Sequence, residues 1–195
     1  LAEELVRLCE QENNFTFSYE DELSLPEKFT VLIMMGSMGY TNAAIELIKK
    51  LDESDEDVVI LAVCGKNKKL KKKIDLLKTR KPLVVYGFCD NVSLLMDACD
   101  CIVTKPGGLS TSEAMAKGIP IILANPIPGQ EERNLEFIEQ NGAAISISDE
   151  FSIDKAVSEL IHNPEVKENL IKNMTRMAKP YSTRDLAELI FKTMN

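Results

Sequence analysis

Between residues 29 and 147 the chain alternates short apolar runs with segments of helical spacing, and no other feature restricts its fold so strongly. The runs are 31–35, 58–64, 83–86, 101–104 and 119–124, with a weaker one at 143–147. They carry no regular polar face, as expected of strands covered on both sides. The segments between them, 42–51, 68–77, 91–98, 110–117 and 130–140, space their apolar residues as helices do. Strands joined by helices return in parallel through right-handed crossovers, so the expected fold is α/β with a doubly wound, Rossmann-like parallel sheet. Three further helices are expected at 152–162, 166–177 and 183–193. Hydrophobic residues make up 45% of the 195, enough for one proper core, and no repeat or linker interrupts residues 29–195. Residues 1–28 read as a separate acidic amphipathic helix, with Leu1, Leu5 and Leu8 on one face, followed by a polar connector.

Charge narrows the partners. Lys and Arg number 23 against 31 Asp and Glu, a formal charge of −8, so a broad nucleic-acid footprint is not expected. Net charge alone would not hold the chain on an anionic membrane either. No apolar run reaches the roughly 18 to 20 residues that span a bilayer. The opening Leu1-Ala2-Glu3-Glu4 has no initiating Met and no signal-peptide pattern, and reads as that of a fragment. Five cysteines, an odd number in a chain of this size, read as reduced thiols in a reducing cytoplasm. Cys99-Asp100-Cys101 has no second ligand cluster to complete a metal site, and His162 lies far from it in sequence. No metal and no cofactor is expected. His162 itself precedes Asn163-Pro164, where a cap or surface role fits a helix end.

In an open parallel sheet, ligands sit beyond the carboxyl ends of the strands. The first such loop, Gly36-Ser37-Met38-Gly39, allows close backbone approach to an anion but matches neither GxGxxG nor a P-loop. After the fourth strand comes Thr104-Lys105-Pro106-Gly107-Gly108-Leu109-Ser110-Thr111-Ser112-Glu113. Paired glycines before a helix offer N–H groups, hydroxyls and a dipole to a phosphate or diphosphate. Glu113 suits the two hydroxyls of a ribose, or it completes a capping box with Ser110 as the cap. After the fifth strand, Pro128-Gly129-Gln130-Glu131 and Asn134 gather amide and carboxylate groups fit for sugar hydroxyls; a solvated acidic helix start is the plainer reading. Gly87-Phe88-Cys89 after the third strand offers a face for a flat base, unless Phe88 is core. Lys66, after the second, is placed to reach a phosphate. The lysines beyond it read as a solvated helix face, with a basic edge touching lipid headgroups as the alternative.

Taken together, VLIMMGSMG, AVCGKN, VYGFCDNV, DCIVTKPGGLSTSEAMAKGIPIIL and NPIPGQEERN resemble, in order and spacing, the C-terminal domain of glycosyltransferase family 28. Within it they are most similar to the diacylglycerol glycosyltransferase branch. The first loop departs from the family's commoner Gly-Gly, having Met35-Gly36. The resemblance covers roughly residues 29–195 and implies the C-terminal half of a GT-B enzyme, the half that holds a UDP-sugar. It implies that Gly87, Phe88 and Cys89 frame the uracil and that Glu113 binds the ribose. Gly108, Leu109, Ser110 and Thr111 would hold the diphosphate, aided by the Gly36, Ser37 and Gly39 loop, with Lys66, Lys105 and Gly107 counted among the UDP-sugar-binding residues. Gln130 and Glu131 would meet the sugar hydroxyls with Asn134 close by, and Pro128 and Gly129 of the same loop are counted in the UDP-sugar site. It further implies an inverting hexosyl transfer to diacylglycerol or a glycosyldiacylglycerol, on the inner face of a membrane touched peripherally by the full protein. The lipid acceptor site and general base would lie in an N-terminal domain outside these residues, so this chain would contain no catalytic residue. A UDP-sugar 2-epimerase of the same architecture and a non-catalytic UDP-sugar-binding module are the alternatives.

Overall fold

A computed structural model of the chain describes residues 25–36 and 41–194. The expected N-terminal helix, and Ser37 and Gly39 of the first loop, lie outside the described residues. Strands β1 (Phe29–Met34), β2 (Val58–Val63), β3 (Leu83–Tyr86), β4 (Cys101–Thr104), β5 (Ile121–Leu123) and β6 (Ile145–Ser146) form one sheet. Helices α1 (Thr41–Glu53), α2 (Lys68–Asp75), α3 (Val92–Asp97), α4 (Gly108–Lys117) and α5 (Gln130–Gln140) connect them, and α6 (Ile153–His162), α7 (Pro164–Met177) and α8 (Ser182–Met194) follow. The order is β3-β2-β1-β4-β5-β6 and every pairing is parallel. This is the doubly wound sheet expected, with its order reversing between β1 and β4.

Register brings the carboxyl ends level. Tyr86 stands beside Val63, Val63 beside Met34, Met34 beside Thr104, and Thr104 beside Leu123. Five loops therefore leave one edge of the sheet together. Because β1 and β4 feed crossovers running in opposite directions, right-handed connections place α1 and α4 on opposite faces. Val31, Leu32, Ile33, Ile60, Leu61, Ile102 and Ile122 are buried in the strands between them, and Ile48, Leu51, Ala114 and Val157 close the two faces. Helix α7 reaches the opposite end of the sheet, where Lys167 Nζ stands 5.6 Å from the Phe29 ring and 3.8 Å from an Asp100 oxygen. Helix α8 buries no side chain, and Leu186, Leu189, Ile190 and Met194 stay exposed.

Several boundaries differ from the sequence reading, three of them for clear local reasons. Gly118 takes a left-handed conformation (φ 69°), and the Ile119 N–H returns to Ala114 O at 3.0 Å. That helix-ending bond consumes Ile119, so β5 starts at Ile121. Helix α7 starts at Pro164 because Asn163 caps it and proline needs no N–H in a first turn. Helix α4 starts at Gly108, two residues earlier than expected.

The thiols obey their burial. Cys64 and Cys101 are buried, Cys89 and Cys99 are half-buried, and no disulfide joins them. Among the described residues, no group of His, Cys, Asp and Glu is arranged to hold a metal ion. Burial, reinforced by Asp100 and Asp97, pushes the Cys99 thiol up to about 12. Burial first and then Cys99 and Asp100 push Cys101 well above the usual value. Above pH ~9 the unfolded chain therefore releases thiol protons that the native chain keeps, so stability falls as pH rises. Each such thiol contributes about 1.4 kcal/mol per pH unit in that window. Urea unfolding above pH ~9 is expected to show this decline, and the Cys99→Ala/Cys101→Ala variant a shallower one. Equal slopes would remove the thiols as its cause.

Candidate functional site

At the switch point the ends of β1 and β4 are pinned together: the Thr104 hydroxyl donates to Met34 O at 2.7 Å, buried. From there the chain turns into Lys105-Pro106-Gly107 and α4. Gly107, not Ser110, occupies the cap position, in an extended conformation (φ −83°, ψ 144°). Ser110 lies inside the first turn, and the capping box that was the alternative reading of Glu113 does not form. The reason is Thr111, whose hydroxyl and N–H both bond Gly107 O, at 2.5 and 3.3 Å, and set the first turn two residues upstream. Glu113 is left exposed, with no hydrogen bond or ion pair to any described residue.

The glycines here are of two kinds. Gly36 (φ 86°) and Gly129 (φ 102°) adopt backbone conformations that disfavour a side chain. Gly107 does not, yet at both Gly107 and Gly108 an added Cβ would meet no described atom within 4 Å. Neither internal packing nor, at Gly107, backbone geometry calls for glycine, and the space lies at the start of α4. There the N–H groups of Gly108, Leu109 and Ser110 precede the first intrahelical bond. The arrangement can receive an anion against bare backbone.

The loop after β5 is fastened to this helix start. Lys105 is buried, and its Nζ lies 3.7 Å from Glu131 Oε2. The same Glu131 oxygen accepts the Ile127 N–H at 2.7 Å, and Glu132 accepts the Gly129 N–H at 2.8 Å. The Asn134 amide donates to Pro106 O at 2.9 Å. Pro128 and Gln130 are exposed, and the Gln130 side chain bonds no described residue. Along the same edge, Phe88 is 61% exposed, so it is not core, and Lys66 Nζ stands 5.2 Å from its ring centre. Gly87 lies against the Lys71 stem, Cys89 packs on the core, and Leu109 is 81% exposed.

The structure thus joins the loops after β4 and β5 and sets Lys66 on Phe88. Sequence reasoning missed Thr104 as the pin, and Asn125, whose positive φ (47°) turns the chain out of β5. It also missed a cavity of about 420 Å³ between α1 and the ends of β5 and β6, lined by Glu46, Lys50, Asn125, Pro126 and Asp149 among others. No expected site residue lines that cavity. His162 sits on the surface, its Nε2 3.0 Å from the Glu56 carboxylate.

Solved structures share this fold. Acinetobacter baumannii MurG superposes with a TM-score of 0.68 at 18% identity, over 91% of this chain and 54% of that one. Anabaena HepE, solved in complex with UDP-glucose, gives 0.65 at 17%, over 89% of this chain and 51% of that one. The fold is that of one Rossmann-like half of a GT-B glycosyltransferase. A family model described as Glycosyl transferases group 1 matches residues 16–177, and the chain belongs to that family.

Among relatives, the processive diacylglycerol beta-glucosyltransferase of Bacillus pumilus is 37% identical over 163 residues, 83% of this chain and 42% of the relative. That of Bacillus subtilis is 35% identical over 169 residues, 86% and 44%. The chain spans less than half the length of these curated relatives. It is a glycosyltransferase domain homologous to them. The matching model is the group 1 one, where the motifs resembled family 28. The named relatives belong to the branch those motifs indicated.

Proposed function

We propose that residues 29–195 form the donor half of an inverting glycosyltransferase. It moves a hexose from a UDP-sugar to diacylglycerol or a glycosyldiacylglycerol, making membrane glycolipid. The observation that carries this reading is the bare helix start at Gly107-Gly108, with Glu113 unpaired farther along the same helix. A diphosphate seated there accepts from the N–H groups of Gly108, Leu109 and Ser110, and the dipole of α4 favours its charge. As UDP departs, the added negative charge meets the same donors, already oriented, which stabilises the leaving group. Glu113 takes the ribose hydroxyls, Phe88 and its loop the uracil, and exposed Gln130 the sugar. Glu131 and Asn134 hold the sugar loop against the diphosphate loop. Acceptor binding and the general base belong to the part of the relatives' length that this chain does not span.

Calorimetric titration with UDP, UDP-glucose, UDP-galactose and UDP-N-acetylglucosamine tests the proposal. UDP is expected to bind weakly, a preference among the three sugars names the donor, and the isolated chain is expected to transfer none of them. Absence of UDP binding in both this chain and the full-length protein overturns the donor assignment. Glycolipid formed by the chain alone overturns the placement of the base in the other half.

A further inference from the structure

Residues 66–81 hold nine of the chain's 23 basic residues and, in Asp75, one of its 31 acidic ones. This segment has a formal charge of +8 and leaves the rest of the chain at −16. The structure divides these cations by role. The carboxylate of Asp52 accepts the N–H groups of Arg80 and Lys81, while the Lys81 ammonium donates to Asp52 O and Ser54 O. Lys71 pairs with Asp75 at 2.9 Å, using the only acid of the segment, and Lys66 lies over Phe88. Lys78, exposed and likewise unpaired among the described residues, lies past the end of α2; on the helix itself Lys68, Lys69, Lys72 and Lys73 remain, all exposed and without an ion pair or hydrogen bond to any described residue.

These four lysines share one face of α2. Leu70 and Ile74 are buried on the other side of the helix, where it packs on the sheet. At about 100° per residue, Lys68, Lys72, Leu76, Lys69 and Lys73 fall within an arc of roughly 140°, with Leu76 near its middle. Leu76 caps the helix with near-helical dihedrals (φ −89°, ψ −7°) and is 82% exposed. Leu76 is the most exposed large apolar side chain among the described residues, and it stands in the middle of these lysines. A cationic face around an apolar tip fits a bilayer surface, where ammonium groups meet lipid phosphates and the aliphatic tip enters the acyl boundary. The relatives' name carries diacylglycerol, which is a lipid.

We propose that the outer face of α2, formed by Lys68, Lys69, Lys72 and Lys73 around Leu76, docks this domain on an anionic lipid bilayer. The inference rests on the reading of the chain as part of a lipid glycosyltransferase. Helix α2 begins directly after the carboxyl end of β2, on the flank of the donor edge. Docking through it holds that edge at the surface from which a lipid acceptor arrives. The acidic remainder of the chain is repelled by the same surface, which orients the domain rather than merely attracting it.

The test is co-sedimentation of the chain with phosphatidylcholine vesicles, pure or containing about one third phosphatidylglycerol. Binding to the anionic vesicles only, weakening with salt, is expected. Lys69→Glu/Lys72→Glu/Lys73→Glu should lower it about a hundredfold. The equal charge change Lys172→Glu/Lys179→Glu/Lys192→Glu, placed on or beside α7 and α8, should lower it far less. Leu76→Ser should lower it several-fold while leaving its salt dependence unchanged. All these positions are exposed, so the variants are expected to fold and to bind UDP as the parent does. No binding to anionic vesicles, or equal losses in the two triple variants, overturns the proposal. So does a lysine-dependent affinity for single-stranded RNA in place of vesicles. Loss of vesicle binding with UDP binding intact isolates the docking face, whereas a parent chain that binds vesicles but not UDP defeats the donor reading instead.

Discussion

Replacing Glu113 by alanine is expected to weaken UDP binding about tenfold to hundredfold, the loss of a hydrogen-bonded charged acceptor worth about 1.5 to 3 kcal/mol. The position makes the experiment clean. Glu113 is exposed and bonds nothing among the described residues, so truncation removes no internal contact. Alanine is also the better helix former, so thermal stability should hold or rise slightly. A change in affinity then reports on the ligand alone. The ribose assignment makes a stricter demand, because UDP lacking both ribose hydroxyls should bind parent and variant equally. The two changes form a cycle whose coupling is the interaction itself. A variant that binds UDP within about twofold of the parent, or losses that simply add, would remove Glu113 from the ribose site.

That Glu113 is available at all was only half legible in the sequence. Ser110 and Glu113 have capping-box spacing, and spacing does not reveal that Thr111 starts the helix earlier by bonding Gly107. The strands were legible because runs such as 58–63 are apolar and buried at nearly every position and alternate with helices, as strands of a parallel sheet covered on both faces do. Yet β3 reads like β2 and is half-buried throughout, because it lies at the sheet edge, and strand order is written in no single run. The loops were legible as chemistry and not as mechanics. PGQE announces side chains suited to a sugar, but nothing local says that Glu131 turns inward while Gln130 faces out. That division depends on Lys105, 26 positions earlier in the chain and brought near only by the pairing of β4 with β5.

The Lys105–Glu131 pair carries the other large expectation, an asymmetry in stability. At 3.7 Å the pair is too long for a hydrogen bond, so what joins it is Coulombic attraction across a poorly solvated gap. The lysine side chain is 8% exposed and the glutamate 21%, so the two charges do not have equal recourse to water. Glu131→Ala removes the carboxylate paired with the buried ammonium and also frees the Ile127 N–H, and should cost about 2 to 3 kcal/mol, somewhat less than a fully buried pair would lose. Lys105→Met leaves a carboxylate that still accepts from Ile127 and can hydrate, while a flexible apolar chain fills the buried stem's place; about 1 kcal/mol is expected. Glu131→Gln keeps the acceptor for Ile127 without the charge and should fall between them. Urea unfolding of the three variants measures the order directly. A Lys105→Met variant as unstable as Glu131→Ala would mean that the lysine is held by its other contacts and that the pair does not fasten the two loops. With the expected order, the pair fastens the loops after β4 and β5 alongside the Asn134–Pro106 bond, and under the proposed assignment Glu131→Ala should weaken a UDP-hexose more than UDP, because the loop it loosens is the one proposed to face the sugar.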